Sequence, residues 1–162
     1  MHHSTDLNKV CVAVLTLSDT RNKEEDTSGQ YIQATLSTQH IVSSYQLIPD
    51  DADQLTSVLN EWSENPKIHA IICNGGTGMS KRDITYATIS ALIEKEMFGF
   101  GEAFRHKSFQ AVGARGMLSN AIAGVYKDTA IFALPGSVNA VTLALDELIM
   151  PILTHFVGEL HK

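Results

Sequence analysis

Cysteine is scarce, with 2 in 162 residues. Neither has a second cysteine or a histidine at metal-ligand spacing, so a disulfide scaffold and a cysteine-held zinc are both excluded. Cys11 and Cys73 lie inside apolar, strand-like runs, where a thiol packs as a small hydrophobe. Long hydrophobic runs are also missing: none approaches the ~20 residues that span a bilayer, and no basic start leads into an apolar leader. The expected compartment is therefore the cytoplasm, with no membrane partner. Positive charge is short as well; a net charge of -6 argues against a nucleic-acid partner. Repeats, low-complexity tracts and linkers do not occur. What remains is 44% hydrophobic and 19% charged, a globular composition in a chain long enough to bury one sizeable core. Residues 1–8 read as a flexible polar tail and residues 9–162 as a single domain.

The charge is unevenly spread. Residues 1–80 carry 4 basic and 10 acidic side chains, whereas residues 81–115 carry 6 basic and 4 acidic. Arg82, Arg105 and Arg115 all lie in that middle block. A small anion held locally suits this pattern, and a solvated basic face suits it equally.

Val10 to Leu17 is short, β-branched and almost continuously apolar, which predicts a strand buried on both faces. A helix with Ile32, Thr35 and Leu36 on one face follows, then a strand over Ile41 to Ile48. Ala52, Leu55, Val58, Leu59 and Trp62 keep helical register until Asn65-Pro66. Ile68 to Cys73 reads as a third strand. Asp83 stands where the next helix could start. A glycine-hinged segment from Phe98 turns helical through Ser108, and Gly113 to Ser119 reads as another short helix. Ala121 to Val125 and Thr129 to Leu134 read as strands joined by a turn at Lys127-Asp128. A final helix from Val138 should kink or divide at Pro151. Strands alternating with helices predict a mostly parallel sheet covered on both faces.

Small or polar residues stand at three strand exits: Ser18-Asp19-Thr20, Gly75-Gly76-Thr77-Gly78 and Pro135-Gly136-Ser137. In an open α/β sheet, ligands bind outside the carboxyl ends of the strands. Glycine lets backbone N–H groups close on an anion, so Gly75 to Gly78 is a candidate phosphate cradle. It has neither dinucleotide-fingerprint nor Walker spacing. Asp50 and Asp51 end the second strand and Asp83 follows the glycine loop. Two carboxylates beside a phosphate suit Mg2+; the competing use for these aspartates is helix capping. The histidines show no metal spacing, and neither a Ser/His/Asp set nor a nucleophile elbow is present, which disfavours covalent catalysis.

Val12 to Thr20 together with Asp26-Thr27-Ser28-Gly29 resembles the opening of the molybdenum-cofactor biosynthesis MoaB/Mog family. Gly75 to Gly78 with Arg82-Asp83-Ile84-Thr85 is similar to that family's central motif. Gly99-Phe100-Gly101-Glu102, Phe104-Arg105, Leu118-Ser119, Ala123-Gly124-Val125 and Leu134-Pro135-Gly136-Ser137 follow in the family's order. The resemblance covers about residues 9–157. It implies a three-layer αβα sandwich with a mixed, mostly parallel sheet, assembled as a trimer or a hexamer. It implies molybdopterin as ligand or substrate, and in Mog-type members adenylyl transfer from magnesium-ATP. It places the two catalytic, Mg2+-binding aspartates at Asp50 and Asp83, and the ligand loops at Ser18, Asp19 and Thr20, at Gly75, Gly76, Thr77 and Gly78, and at Pro135, Gly136 and Ser137.

Arg105 could pair with a phosphate or with a structural carboxylate. Two positions depart from the family: Asn120 stands where arginine often follows Leu-Ser, and Tyr86 replaces a common proline. The leading expectation is a molybdopterin adenylyltransferase. The alternatives are a non-catalytic molybdopterin-binding or scaffold protein of the same pathway, working with its other proteins, and a generic nucleotide-binding module.

Overall fold

The structure is a computed structural model and describes residues 8–162. The tail expected over residues 1–8 lies, but for Asn8, outside the described residues. A six-stranded sheet runs in the order β2-β1-β3-β6-β5-β4. Its strands are β1 (Cys11–Leu17), β2 (Ile41–Ile48), β3 (Ala70–Asn74), β4 (Lys95–Glu96), β5 (Ile122–Tyr126) and β6 (Thr129–Leu134). The helices are α1 (Thr27–Ser37), α2 (Ala52–Glu64), α3 (Thr85–Leu92), α4 (Phe98–Val112), α5 (Val138–Leu143) and α6 (Leu153–Leu160).

β2, β1, β3 and β6 are parallel, so their carboxyl ends share one edge. β5 runs antiparallel to β6, through a turn in which Lys127 and Asp128 both have positive φ (50° and 62°). Such a turn matches the twist of a two-residue hairpin. The sheet is therefore mixed and mostly parallel.

The alternation of side chains along the central strands builds the three layers. Val12, Val14, Ala70, Ile72, Ala130 and Phe132 face α1, α4, α5 and α6. Ala13, Leu15, Ile71, Cys73, Ile131 and Ala133 face α2 and α3. The chain leaves β1 over one face to reach β2 and leaves β2 over the other to reach β3. β1 and β3 are neighbours, so their exits diverge and open a crevice between them, where α/β proteins place ligands.

On the first face Phe132 packs edge-on between Phe100 and Phe156, with ring centroids 5.4 and 5.8 Å away. Phe132→Ala is expected to cost about 3–5 kcal/mol, read as a lower denaturation midpoint in urea.

Three boundaries differ from the sequence expectation. The two-residue β4 is too short to leave a period, and only its pairing with β5 reveals it. α4 continues past Ser108 to Val112, and the short helix that follows is a 3-10 turn, Gly113–Leu118. The final helix is in three parts. α5 widens into a π-helical stretch over Ala144–Ile149, where the Met150 N–H reaches Leu145 O at 2.9 Å, and Pro151 then ends it before α6. The two halves are bent by 64°. Among the described residues no single helix is long and apolar enough to cross a membrane.

Two imidazoles tie down the start of β1. The Val10 N–H donates to His40 Nδ1 (3.2 Å) and the Cys11 N–H to His69 Nδ1 (3.0 Å). Both nitrogens must be unprotonated to accept. Burial, helped by Lys9 at His40 and by His161 at His69, holds both rings below the usual histidine range. A lowered folded value means the contribution is complete above the unfolded pKa of about 6.5 and is lost as pH falls through it toward the folded value. Urea midpoints are expected to drop between pH 7.5 and 5, on the order of 1 kcal/mol per site. His40→Asn, whose Oδ1 can stand in for Nδ1 without titrating, should flatten that fall.

Candidate functional site

β1 leaves at Ser18, whose Oγ accepts from the Thr20 and Arg21 N–H groups (3.3 and 3.1 Å). The Ser18 hydroxyl is thus engaged in shaping its own turn, and Thr20 is exposed beside it. The next residue joins two strand exits: Asp19 Oδ1 accepts from the Asp50 N–H at 2.9 Å. Its Oδ2 lies 3.7 Å from Arg82 Nε, a loose and exposed pair. Asp51 is the N-cap of α2, accepting from the Gln54 N–H at 2.9 Å. The capping use therefore falls to Asp51, and Asp50 is left for other work.

β3 leaves into Gly75 and Gly76, at φ +97° and +73°, values that favour glycine. The Gly75 N–H donates to Leu134 O at 2.9 Å, joining this exit to that of β6. A Cβ on Gly136 would sit 3.1 Å from Gly75 Cα, so these two loops touch through their backbones. A Cβ on Gly76 would lie 2.3 Å from Thr85 Oγ1 and 3.1 Å from Asp50 Oδ1; one on Gly78 would lie 2.7 Å from Asp83 Oδ2. The glycine loop is thus flanked by both aspartates, brought together from exits far apart in sequence.

Asp83 does not start a helix. Its Oδ2 accepts from the Ser80 N–H and Oγ (2.9 and 2.8 Å), closing a turn, and α3 begins at Thr85 with no side-chain cap. The local turn takes up the carboxylate before it can reach the helix N-terminus. Thr77 is buried, and its carbonyl accepts from Asn120 Nδ2 at 3.3 Å. Asn120 thereby braces the loop from the position where arginine often stands in the family. Tyr86 lies within the first turn of α3 and packs against the core.

β6 leaves through Pro135. Gly136 O accepts from Ser28 Oγ at 2.6 Å, and Ser137 caps α5 through the Ala140 N–H. Ser137 also lines a cavity of about 470 Å³ between α4, the 3-10 turn and α5. Its walls include Val112, Leu118 and Leu143, with Ser108, Arg115 and Ser119 as polar groups. Arg105 reaches back over Gly101 within α4.

The electrostatics single out Asp50. Burial first, then the charges of Asp19 and Asp83, push its carboxyl above the usual range, and the Asp19 backbone and Arg82 pull it partway back. Asp50 Oδ1 and Thr85 Oγ1 are both buried and have no hydrogen-bond partner. Unpaired polar atoms of this kind are costly, and here both lie against Gly76, whose lack of a Cβ lets them come that close. Hard carboxylate oxygens around an uncompensated negative charge fit Mg2+. Among the described residues no three His, Cys, Asp or Glu side chains are grouped to hold a metal ion. The fit is therefore to a cation that brings its remaining oxygens with it, from phosphate and water. A thiolate is ruled out as nucleophile on this face of β3, since burial pushes Cys73 up to about 12.

Sequence reasoning gave no role to Thr85, Asn74 or Tyr45. Thr85 entered only as a member of the central motif Arg82-Asp83-Ile84-Thr85, and the others act through contacts distant in sequence.

Fold and site together define a three-layer α/β protein with a glycine loop and acidic side chains at the crevice of a mixed, mostly parallel sheet. The chain belongs to the family described as a probable molybdopterin binding domain, whose model matches residues 13–155. It is 42% identical to a molybdenum cofactor biosynthesis protein B of Staphylococcus epidermidis, over 99% of this chain and 95% of that protein. Identity to the protein of that name in Bacillus cereus is 40%, over 92% and 89% of the two chains. A crystal structure of a molybdenum cofactor biosynthesis protein B superposes with TM-score 0.91 at 39% identity, covering 96% of this chain and 98% of that one. The tungsten cofactor synthesizing protein MoaB from Pyrococcus furiosus superposes with TM-score 0.87 at 33% identity, over 96% and 99%. The chain thereby belongs to one family with these molybdenum cofactor biosynthesis proteins.

Proposed function

We propose that this chain is a molybdopterin adenylyltransferase, acting in the cytoplasm. The observation that carries this reading is the unpartnered Oδ1 of the charge-strained Asp50 carboxylate against Gly76, with Asp83 against Gly78 of the same loop. An oxygen of the terminal phosphate of molybdopterin attacks the α-phosphorus of ATP. A P–O bond forms to give the adenylylated pterin, and the bond to the β-phosphate oxygen breaks to release pyrophosphate. Such a transfer needs positioning and charge neutralisation more than a covalent nucleophile. N–H groups from Gly76 to Gly78 hold phosphate oxygens, while that of Gly75 keeps its bond to Leu134 O, and Thr85 Oγ1 donates to one of the phosphate oxygens. Asp50 and Asp83 are the residues that would hold Mg2+, which when bound would neutralise charge building on the phosphates. Ser18, Asp19 and Thr20 close one side of the site and Pro135, Gly136 and Ser137 the other. The adjoining cavity, lined by polar and apolar side chains in equal number and of small-molecule size, takes the flat pterin body.

The second reading is a molybdopterin-binding protein without turnover. It is favoured by Asn120, which spends its amide on Thr77 O and supplies no cation beside the cradle. Incubation with molybdopterin, ATP and Mg2+ separates the two. Adenylylated pterin and pyrophosphate should appear, and Asp83→Asn, which keeps an acceptor for Ser80, should stop them in a folded protein. Tight pterin binding with no turnover would establish the second reading instead, and ATP binding indifferent to pterin would leave a generic nucleotide module.

The chain also assembles, in this reading, as a trimer or a hexamer. Phe109, Val112, Met117 and Leu118 expose a run of large apolar side chains on α4 and the 3-10 turn, the kind of surface that association covers. Light scattering at micromolar concentration should give a mass of three or six chains; a monomer would contradict it.

A further inference from the structure

One buried polar network has no part in the site as described so far. Asp26 is fully buried and accepts four hydrogen bonds. Thr16 Oγ1 donates to Oδ2 at 2.6 Å and Tyr45 OH to Oδ2 at 2.5 Å. The Gly29 N–H and Arg21 Nη1 donate to Oδ1 at 3.0 and 3.2 Å. Burial opposes the charge of Asp26, but these bonds outweigh it and hold the carboxyl below the usual range.

The network has a direction. An ionised carboxylate only accepts, so the one proton of the Thr16 hydroxyl points at Asp26. Toward its other neighbour Thr16 Oγ1 can only accept. Asn74 meets that requirement, its Nδ2 donating to Thr16 Oγ1 at 2.9 Å and to Leu15 O at 3.4 Å. The orientation of the Asn74 amide is thereby fixed, with its Oδ1 buried and left without a donor. Asn74 is the last residue of β3 and precedes Gly75. The same aspartate caps α1, from which Ser28 grips Gly136 O, and through Arg21 it holds the loop after β1. All three strand exits are thus tied, directly or through Thr16 and Asn74, to one buried carboxylate that bonds side chains of β1 and β2.

We propose that Asp26, acting through Thr16 and Asn74, is a positioning residue that fixes Gly75 and Gly76 in the arrangement that receives the ligand phosphate. Its consequence for binding rests on the phosphate-cradle reading above; its consequence for the loop itself does not.

The test compares two substitutions at one position. Thr16→Val removes the hydroxyl and keeps the shape. Thr16→Ser keeps the hydroxyl and loses a buried methyl. Both should lower Tm, and only Thr16→Val should loosen the cradle. The Gly75 amide, protected by Leu134 O, should exchange with solvent at least tenfold faster in Thr16→Val, measured against core amides of β1. The Kd for magnesium-ATP should weaken about tenfold in the same variant, and both quantities should return toward wild type in Thr16→Ser. Tyr45→Phe removes a different donor to the same Oδ2 and should lower Tm with Gly75 exchange unchanged. Asn74→Ala leaves the Thr16–Asp26 bond intact and should reproduce the Thr16→Val result should that variant fail to fold. Gly75 exchange that follows Tm alike in all these variants would overturn the proposal. A wild-type protein that does not bind magnesium-ATP would defeat the functional reading instead, and the exchange rates would still decide this one.

Discussion

Asp50→Asn is expected to cut adenylyl transfer on the order of 10³-fold while making the ligand-free protein more stable. In the proposed reaction the loss follows from removing one of the two carboxylates that would hold the cation at the reacting phosphates. The gain follows from the surroundings of Asp50. Burial and two neighbouring aspartates raise its folded pKa, so its ionised form is disfavoured by the fold. For an acid with a raised folded value, stability falls as pH climbs from the unfolded value of about 3.9 through the folded one. Asparagine has no charge to penalise. Thermal melts without Mg2+ at pH 8 should therefore show a higher Tm for Asp50→Asn than for wild type, with the difference closing near pH 4. Added Mg2+ and ATP should raise the wild-type Tm and leave the variant where it was. A variant less stable than wild type at pH 8 would mean that Asp50 serves the fold and is not held in reserve for a cation.

Neighbouring glycines should fail in different ways. A Cβ on Gly75 would stand 2.2 Å from Leu17 O, a backbone atom of β1, at φ +97°. Neither atom can move without parting the strand exits, so Gly75→Ala should cost about 2–5 kcal/mol from overpacking and backbone strain together. A Cβ on Gly76 would meet the Thr85 side chain at 2.3 Å and Asp50 Oδ1 at 3.1 Å. Side chains can turn aside, so Gly76→Ala should cost less, about 1–3 kcal/mol. Its methyl would nevertheless occupy the cradle, and magnesium-ATP affinity should fall at least a hundredfold, about 2.7 kcal/mol. Urea midpoints and titration calorimetry read the two effects separately. Equal stability losses with unchanged affinity in Gly76→Ala would place the phosphate elsewhere.

Much of the fold was legible because its signals are local. The apolar run into Leu17 and the helical spacing of Leu55, Val58, Leu59 and Trp62 each report burial through periodicity alone. The placement of the three exits along one edge followed from the expectation of parallel strands, whose carboxyl ends lie on the same side of a sheet. β4 was invisible because two residues carry no period. Asp83 looked like a helix start because aspartate favours both caps and turns, and sequence does not say which N–H groups will be nearest. The network under the cradle was hidden for a related reason. Thr16 and Asn74 are separated by 58 residues and Ser28 and Gly136 by 108, so only the folded chain shows that they meet. The acidic group around Asp50 stood between these extremes. Its members were readable, but the unpaired Oδ1 that distinguishes Asp50 from the capping Asp51 emerged only with packing.

The phosphate site can be read directly from nuclear magnetic resonance of the labelled protein as magnesium-ATP is added. Backbone amide signals of Gly75, Gly76 and Gly78 should shift together with the side-chain carboxyl signals of Asp50 and Asp83, saturating along one binding curve. Shifts gathered elsewhere on the molecule, with Gly76 and Asp50 unmoved at saturation, would contradict a phosphate seat at this crevice.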